Sequence, residues 1–211
     1  MRTEQLIAAL SADASRPPVP VRGPLVRWLL AGAAVSALAM LTAMGVRSDL
    51  SAALLTWRFV FKIVLVTLAL VLAAVDLVRH VSPEWTRFAS AASLLVPVLL
   101  FGAVAVELLA APADTWMARA VGTNALVCLV ALPLLSLAPL AAGVYALRQG
   151  APGSAATAGA AAGRLAAAVA AVFYAFHCAD DSPLFVGLWY VLASGIVIGI
   201  GALAGSRLLR W

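Results

Sequence analysis

Residues 176–190 read FHCADDSPLFVGLWY and set His177, Cys178, Asp180 and Asp181 between two stretches of almost pure hydrocarbon. Thiolate, imidazole and carboxylate are all metal ligands, and a thiol can also be oxidised, so this stretch is the first candidate for chemistry. Structural roles compete with that reading. Neighbouring residues on a helix point about 100° apart, so His177 and Cys178 do not chelate together merely by being adjacent. Asp180 and Asp181 precede Ser182-Pro183, an N-cap serine followed by proline at the first helical position, where the partial positive charge of a helix start favours carboxylates. Capping is the role they fit best. Trp189 and Tyr190 suit an interfacial aromatic belt.

Which role holds depends on where the membrane lies. Of 211 residues, 64% are hydrophobic and 11% charged, whereas ordinary soluble domains run at about 45–50% apolar and about 25% charged. Runs rich in Ala, Leu and Val reach the roughly 20 residues that a helix needs to cross a hydrocarbon core. The composition predicts an all-α polytopic membrane protein with a cytoplasmic segment over 1–24 and one bundle of six transmembrane helices over 25–211. The spans fall at about 25–46, 57–78, 84–110, 120–147, 156–178 and 183–207. No apolar core precedes Leu25, so the first run reads as a retained signal anchor.

An even number of spans puts both termini on one side. Arg2, Arg16, Arg22, Arg27, Arg79, Arg87, Arg148, Arg207 and Arg210 fall with the termini, and Arg47, Arg58 and Arg119 fall opposite. The positive-inside rule then assigns both termini to the cytoplasm. The formal charge of +5 is spread among span ends instead of forming a basic stripe, which argues against direct nucleic-acid binding.

Ser82-Pro83 repeats the Ser182-Pro183 signal and predicts the start of span three. GAPGSAATAG (150–159) suits a loop, and Pro97, Pro133 and Pro139 are expected to kink the spans that hold them. The pairs Gly159/Gly163, Gly195/Gly199 and Gly201/Gly205 are each four apart, which lets helices approach closely within one chain; a dimer is the lesser reading. Lys62, Asp76, Glu107 and Arg164 lie within spans and need partners or water. Asp76 and Glu107 are close enough to span ends to reach the interface, and Lys62 can snorkel outward.

The two cysteines have compatible depths in this topology. If span four becomes apolar near Ala125, a rise of about 1.5 Å per residue puts Cys128 roughly 5 Å below that boundary, with Cys178 at the boundary itself. They read equally as a functional thiol pair and as two small buried hydrophobes. At the other face, MRTEQLIAALSADASRPPVPVRG carries Leu6, Ile7 and Leu10 on one helical side. It is too short to be a stable helix in water, so it reads as a peptide that docks in a partner's groove, or as a tail or surface helix.

MRTEQLIAAL, Cys128 in NALVCLVALPLLSLAPL, the run AGAAAGRLAAAVAAVFYAFHCADDSPLF, WY at 189–190 and the ending GSRLLRW together resemble the NrsF family of six-span anti-sigma factors. The resemblance implies a non-enzymatic regulator that holds an ECF-type sigma factor at the cytoplasmic face of a bacterial inner membrane. It also implies that the sigma factor is released when Cys128 and Cys178 sense heavy-metal or oxidative stress. No cofactor is implied beyond a transient heavy-metal ion, for which Cys128, Cys178, His177, Asp180 and Asp181 are the candidate ligands. Arg164 departs from the small residues expected around it. The alternative is a small metal-ion transporter or channel with the His177–Asp181 cluster at its mouth. A thiol oxidoreductase is weaker still, because the cysteines are 50 residues apart and no C-x-x-C motif is present.

Overall fold

A computed structural model describes residues 3–5, 7, 11, 22–81, 92, 94–148 and 153–209. Six principal helices account for most of them: α1 (Arg22–Ala43), α2 (Trp57–Val81), α3 (Leu95–Ala110), α4 (Ala125–Leu147), α5 (Ala155–Ala175) and α6 (Pro183–Leu208). No strand occurs among the described residues. Five of the six are long and apolar enough to cross a membrane; α3, with 16 residues, is the shorter one. The expected start of span three at Ser82-Pro83 lies outside the described residues. So do Leu6 and Leu10, whereas Ile7 is helical and exposed.

The chain enters α1 and leaves α6 at one end of the bundle, the terminal end. The connections α1–α2, α3–α4 and α5–α6 meet at the other, the capped end, where Arg47 N–H donates to Phe176 O at 3.0 Å and Thr123 N–H to Asp180 at 3.0 Å. The α3–α4 connection includes a short helix, Trp116–Val121.

Burial singles out α5 as the central helix. Two thirds of it (67%) is buried, against 17% of α1, and it packs on α2, α4 and α6. Its sequence AATAGAAAGRLAAAVAAVFYA explains why: Ala and Gly let neighbouring backbones come close, which gives dispersion contact where lipid removes any hydrophobic drive between helices. The tightest seam is with α6. A methyl group on Gly159 would lie 2.7 Å from Gly205 Cα, and one on Gly163 would lie 2.8 Å from Ile198 Cα. Gly159, Gly163, Gly201 and Gly205 therefore serve packing within the chain, while Gly195 and Gly199 face open space.

The prolines behave differently from one another. Pro97 falls in the first turn of α3, where its missing N–H costs nothing, so it starts a helix instead of kinking one. Pro133 and Pro139 lie inside α4, which continues through both. At Pro139 α4 meets α1, where a methyl group on Gly32 would stand 2.8 Å from Pro139 Cα.

Within α6, residues Val186–Tyr190 form a π turn. It carries Tyr190 inward, leaving it 4% exposed against Tyr174 and Phe185. Tyr190 is thus a core residue and not part of an interfacial belt. Trp189 stays near the capped end and donates its indole N–H to Ala120 O at 2.9 Å.

The glycine seam generates a direct test. Gly159→Leu is expected to cost about 1–3 kcal/mol or more by overpacking, and Gly199→Leu, placed in open space, to cost little. Thermal melts of the detergent-solubilised variants compare the two.

Candidate functional site

The sequence brings unusual charge to the capped end, and burial forces that charge to pair. Lys62 lies just over one turn into α2 and is fully buried. Instead of snorkelling outward, its ammonium donates to Cys178 O at 2.8 Å and to Asp180 O at 3.4 Å, and forms an ion pair with Asp181. An ammonium in hydrocarbon requires this set of partners, because an unpaired buried charge costs several kcal/mol.

Arg47, in the α1–α2 connection, reaches the same carboxylate from the other side. It donates to Asp181 Oδ2 at 2.8 Å and Cys178 O at 3.3 Å, and grips both oxygens of Asp49 at 2.7 Å each. Phe59 lies beneath both cations, 5.4 Å from the Arg47 guanidinium and 5.5 Å from the Lys62 ammonium. Hydrogen bonding to Arg47 holds the Asp49 carboxyl down at about 2. The contribution of that pair is complete above the ordinary carboxyl value near ~4 and fades as pH falls towards the depressed one.

The aspartates do not cap α6. Asp180 closes the start of α4, accepting from Thr123 N–H at 3.0 Å, Asn124 N–H at 2.8 Å and the Asn124 side-chain amide at 2.9 Å. This geometry needs Gly122, whose φ of +60° turns the chain out of Trp116–Val121, and where a side chain would collide with Asp180 and Phe185. Asp181 is committed to the two cations. Ser182 alone caps α6: its Oγ accepts from Leu184 N–H at 3.2 Å and donates to Glu107 Oε2 at 3.0 Å.

Glu107 does not reach the interface. It is 2% exposed, and besides Ser182 it takes Arg119 at 2.9 Å and Arg58 at 3.2 Å, which ties α3 to α2, α6 and the short helix before α4. At the far side of the bundle Asp76 pairs with Arg164, so the arginine among the small residues of α5 has its own partner.

Beneath this polar lid lie the thiols. Cys128 and Cys178 are both fully buried, both free, and members of one continuous apolar core. Cys128 sits in the first turn of α4, donating its N–H to Asn124 O at 2.7 Å; Cys178 follows the end of α5, donating to Tyr174 O at 2.9 Å. Asp180 joins them. Its carboxylate holds Asn124, whose carbonyl takes Cys128 N–H, while its own carbonyl faces Cys178 Sγ at 3.9 Å. Both thiols are thus sealed from solvent beneath the polar lid.

The other candidate ligands are occupied elsewhere. His177 Nδ1 is 3.0 Å from Gly45 O with its ring against Tyr174, and both aspartates are bonded as described. Among the described residues no three His, Cys, Asp or Glu side chains stand together as a metal-binding group.

Lys62→Met removes a cation from a buried carboxylate and is expected to destabilise the protein by about 3 kcal/mol, the low end for a broken buried pair because Arg47 remains. Lys62→Met/Asp181→Asn is expected to recover part of that loss. Denaturant titration measures both, and faster maleimide labelling of Cys178 in the single variant reports opening of the lid.

A family model described as negative regulator of sigma F matches residues 10–211. The chain is 35% identical to a probable anti-sigma-F factor NrsF of Azospira oryzae and 35% identical to the anti-sigma-F factor NrsF of Caulobacter vibrioides, each alignment covering all of both chains. No solved structure matches. With the family model spanning nearly the whole chain and two relatives matched from end to end, this protein belongs to the NrsF family of negative regulators of sigma F.

Proposed function

We propose that this protein is an anti-sigma factor of the bacterial inner membrane, with both termini in the cytoplasm. It holds an ECF-type sigma factor through a cytoplasmic surface that includes residues 1–24, with Leu6, Ile7 and Leu10 as the apolar docking face. Heavy-metal or oxidative stress acts on Cys128 and Cys178 from the periplasmic side and frees the sigma factor. Membership of a family of sigma F regulators carries the partner. The observation that carries the sensing is that both thiols are free and buried under one lid and are joined through Asp180.

The physics of such a switch follows from the burial. A soft metal ion replaces the two thiol protons with metal–sulfur bonds; an oxidant removes two electrons and two protons and joins the sulfurs. Either product holds the first turn of α4 and the α5–α6 connection in a new relation, and Asp180, bonded to both segments, must yield. A signal shifts a bundle only by the difference in free energy that it makes between two arrangements, and a covalent or coordinate bond supplies a large one. The close seam between α5 and α6 gives that displacement a stiff route to the terminal end.

Two measurements test the reading. The intact protein is expected to co-purify with an ECF-type sigma factor, and deletion of residues 1–24 to weaken that association. Cys128→Ser and Cys178→Ser are each expected to abolish most of the metal- or oxidant-induced rise in a sigma-dependent reporter. A full rise in both variants removes the sensing role, and failure to recover a sigma factor removes the regulatory one. Ion flux through proteoliposomes would favour a transporter instead.

A further inference from the structure

The terminal half of the bundle contains a cavity of about 700 Å³ between α2, α3, α5 and α6 that the thiol site does not use. Its origin is legible in the helices. The floor is the alanine face of α5, Ala167, Ala168 and Ala171, whose side chains are too short to reach the facing elements. Among the described residues α3 meets the bundle chiefly at α2 and at the first turns of α6, and makes little contact with α5 over that floor. Gly195 adds room from α6, where a methyl group would meet nothing within 4 Å.

The walls are almost wholly hydrocarbon, including Leu65, Ala69 and Leu100, but one end is charged. Asp76 and Arg79 lie in the last two turns of α2, and Arg164 approaches from α5. The carboxylate pairs with Arg164, and Arg79 adds a second guanidinium to the same end of the cavity. Arg79 Nε is buried and has no hydrogen-bond partner among the described residues. A buried, unsatisfied guanidinium N–H is costly to leave alone, and a guanidinium is shaped to bind phosphate.

Size and polarity together point to an occupant. Ligand sites run from roughly 300 to 1,000 Å³, and this chamber falls within that range. We infer that this cavity binds an anionic phospholipid, with acyl chain in the apolar chamber and phosphate at Arg79 and Arg164. The orientation proposed above puts this charged end in the cytoplasmic leaflet, where anionic lipids are attracted by basic residues between helices. The lipid then stands between α3 and α5, which make little contact with each other among the described residues.

The test uses the full chain in nanodiscs of mixed phosphatidylglycerol and phosphatidylcholine, with retained lipid identified by native mass spectrometry and no sigma factor present. Its outcome is therefore separate from that of the regulatory reading. The wild type is expected to retain phosphatidylglycerol in preference to phosphatidylcholine. Arg79→Gln is expected to reduce that preference about tenfold, the effect of losing a charge-assisted hydrogen bond. Gly195→Leu, which fills the chamber, is expected to reduce retention of both lipids. Inorganic phosphate alone is expected not to bind. Retention without headgroup preference, retention unchanged by Arg79→Gln, or phosphate binding without lipid would each overturn the inference. If Gly195→Leu fails to fold, the Arg79→Gln comparison still decides.

Discussion

A charge buried in hydrocarbon must find its partners, and the capped end of this protein is organised around that requirement. Lys62 cannot leave the core, so the α5–α6 connection comes to it and offers the Cys178 carbonyl and the Asp181 carboxylate. Arg47 reads the same two groups from the α1–α2 connection. The α1–α2 connection, the start of α2 and the α5–α6 connection are thereby fixed over a single point, and Glu107 adds α3 through Arg58, Arg119 and Ser182. Two free thiols lie directly under this point. Their shelter combines this ion-paired lid with the apolar core around them.

The same bundle divides its labour along its length. Small residues on α5 do two opposite things. Towards α6, Gly159 and Gly163 bring backbones into contact, while towards α3 the run Ala167, Ala168 and Ala171 leaves space. What decides between them is the partner. α6 offers glycines that reciprocate, and α3 stands too far off to close the gap. A helix built largely from Ala and Gly therefore makes both a seam of touching backbones and an open apolar chamber.

Much of this was legible in the sequence because it depends on local or one-dimensional signals. Apolar length placed α1, α2, α4, α5 and α6 within a few residues, Ser182-Pro183 marked the start of α6, and Gly159 with Gly205 lay among the spacings that pack within the chain. The partners of the charges were not legible. Lys62 and Asp181 are 119 positions apart, and nothing in either neighbourhood indicates the other. Asp180 looked like a cap, and is one, but for α4, which begins 55 residues earlier in the chain. Near Asp181 the sequence offered a plausible helix start, and only tertiary packing assigned that carboxylate to Arg47 and Lys62. The π turn at Val186–Tyr190 had no sequence signature, so Tyr190 was expected at an interface it does not touch.

That π turn sets the rotational phase of the last helix. It inserts one residue into a regular winding, and each residue of an α-helix turns by about 100°. Above it, Ser182 and Phe185 are held by the polar lid and the aromatic core; below it, Gly201 and Gly205 must face Gly159 and Gly163. If the helix were wound without the extra residue, the lower glycines would point away from α5 whenever the upper residues were seated correctly. The bulge acts as the offset key between two locks, and both can be closed at once only while it is in place.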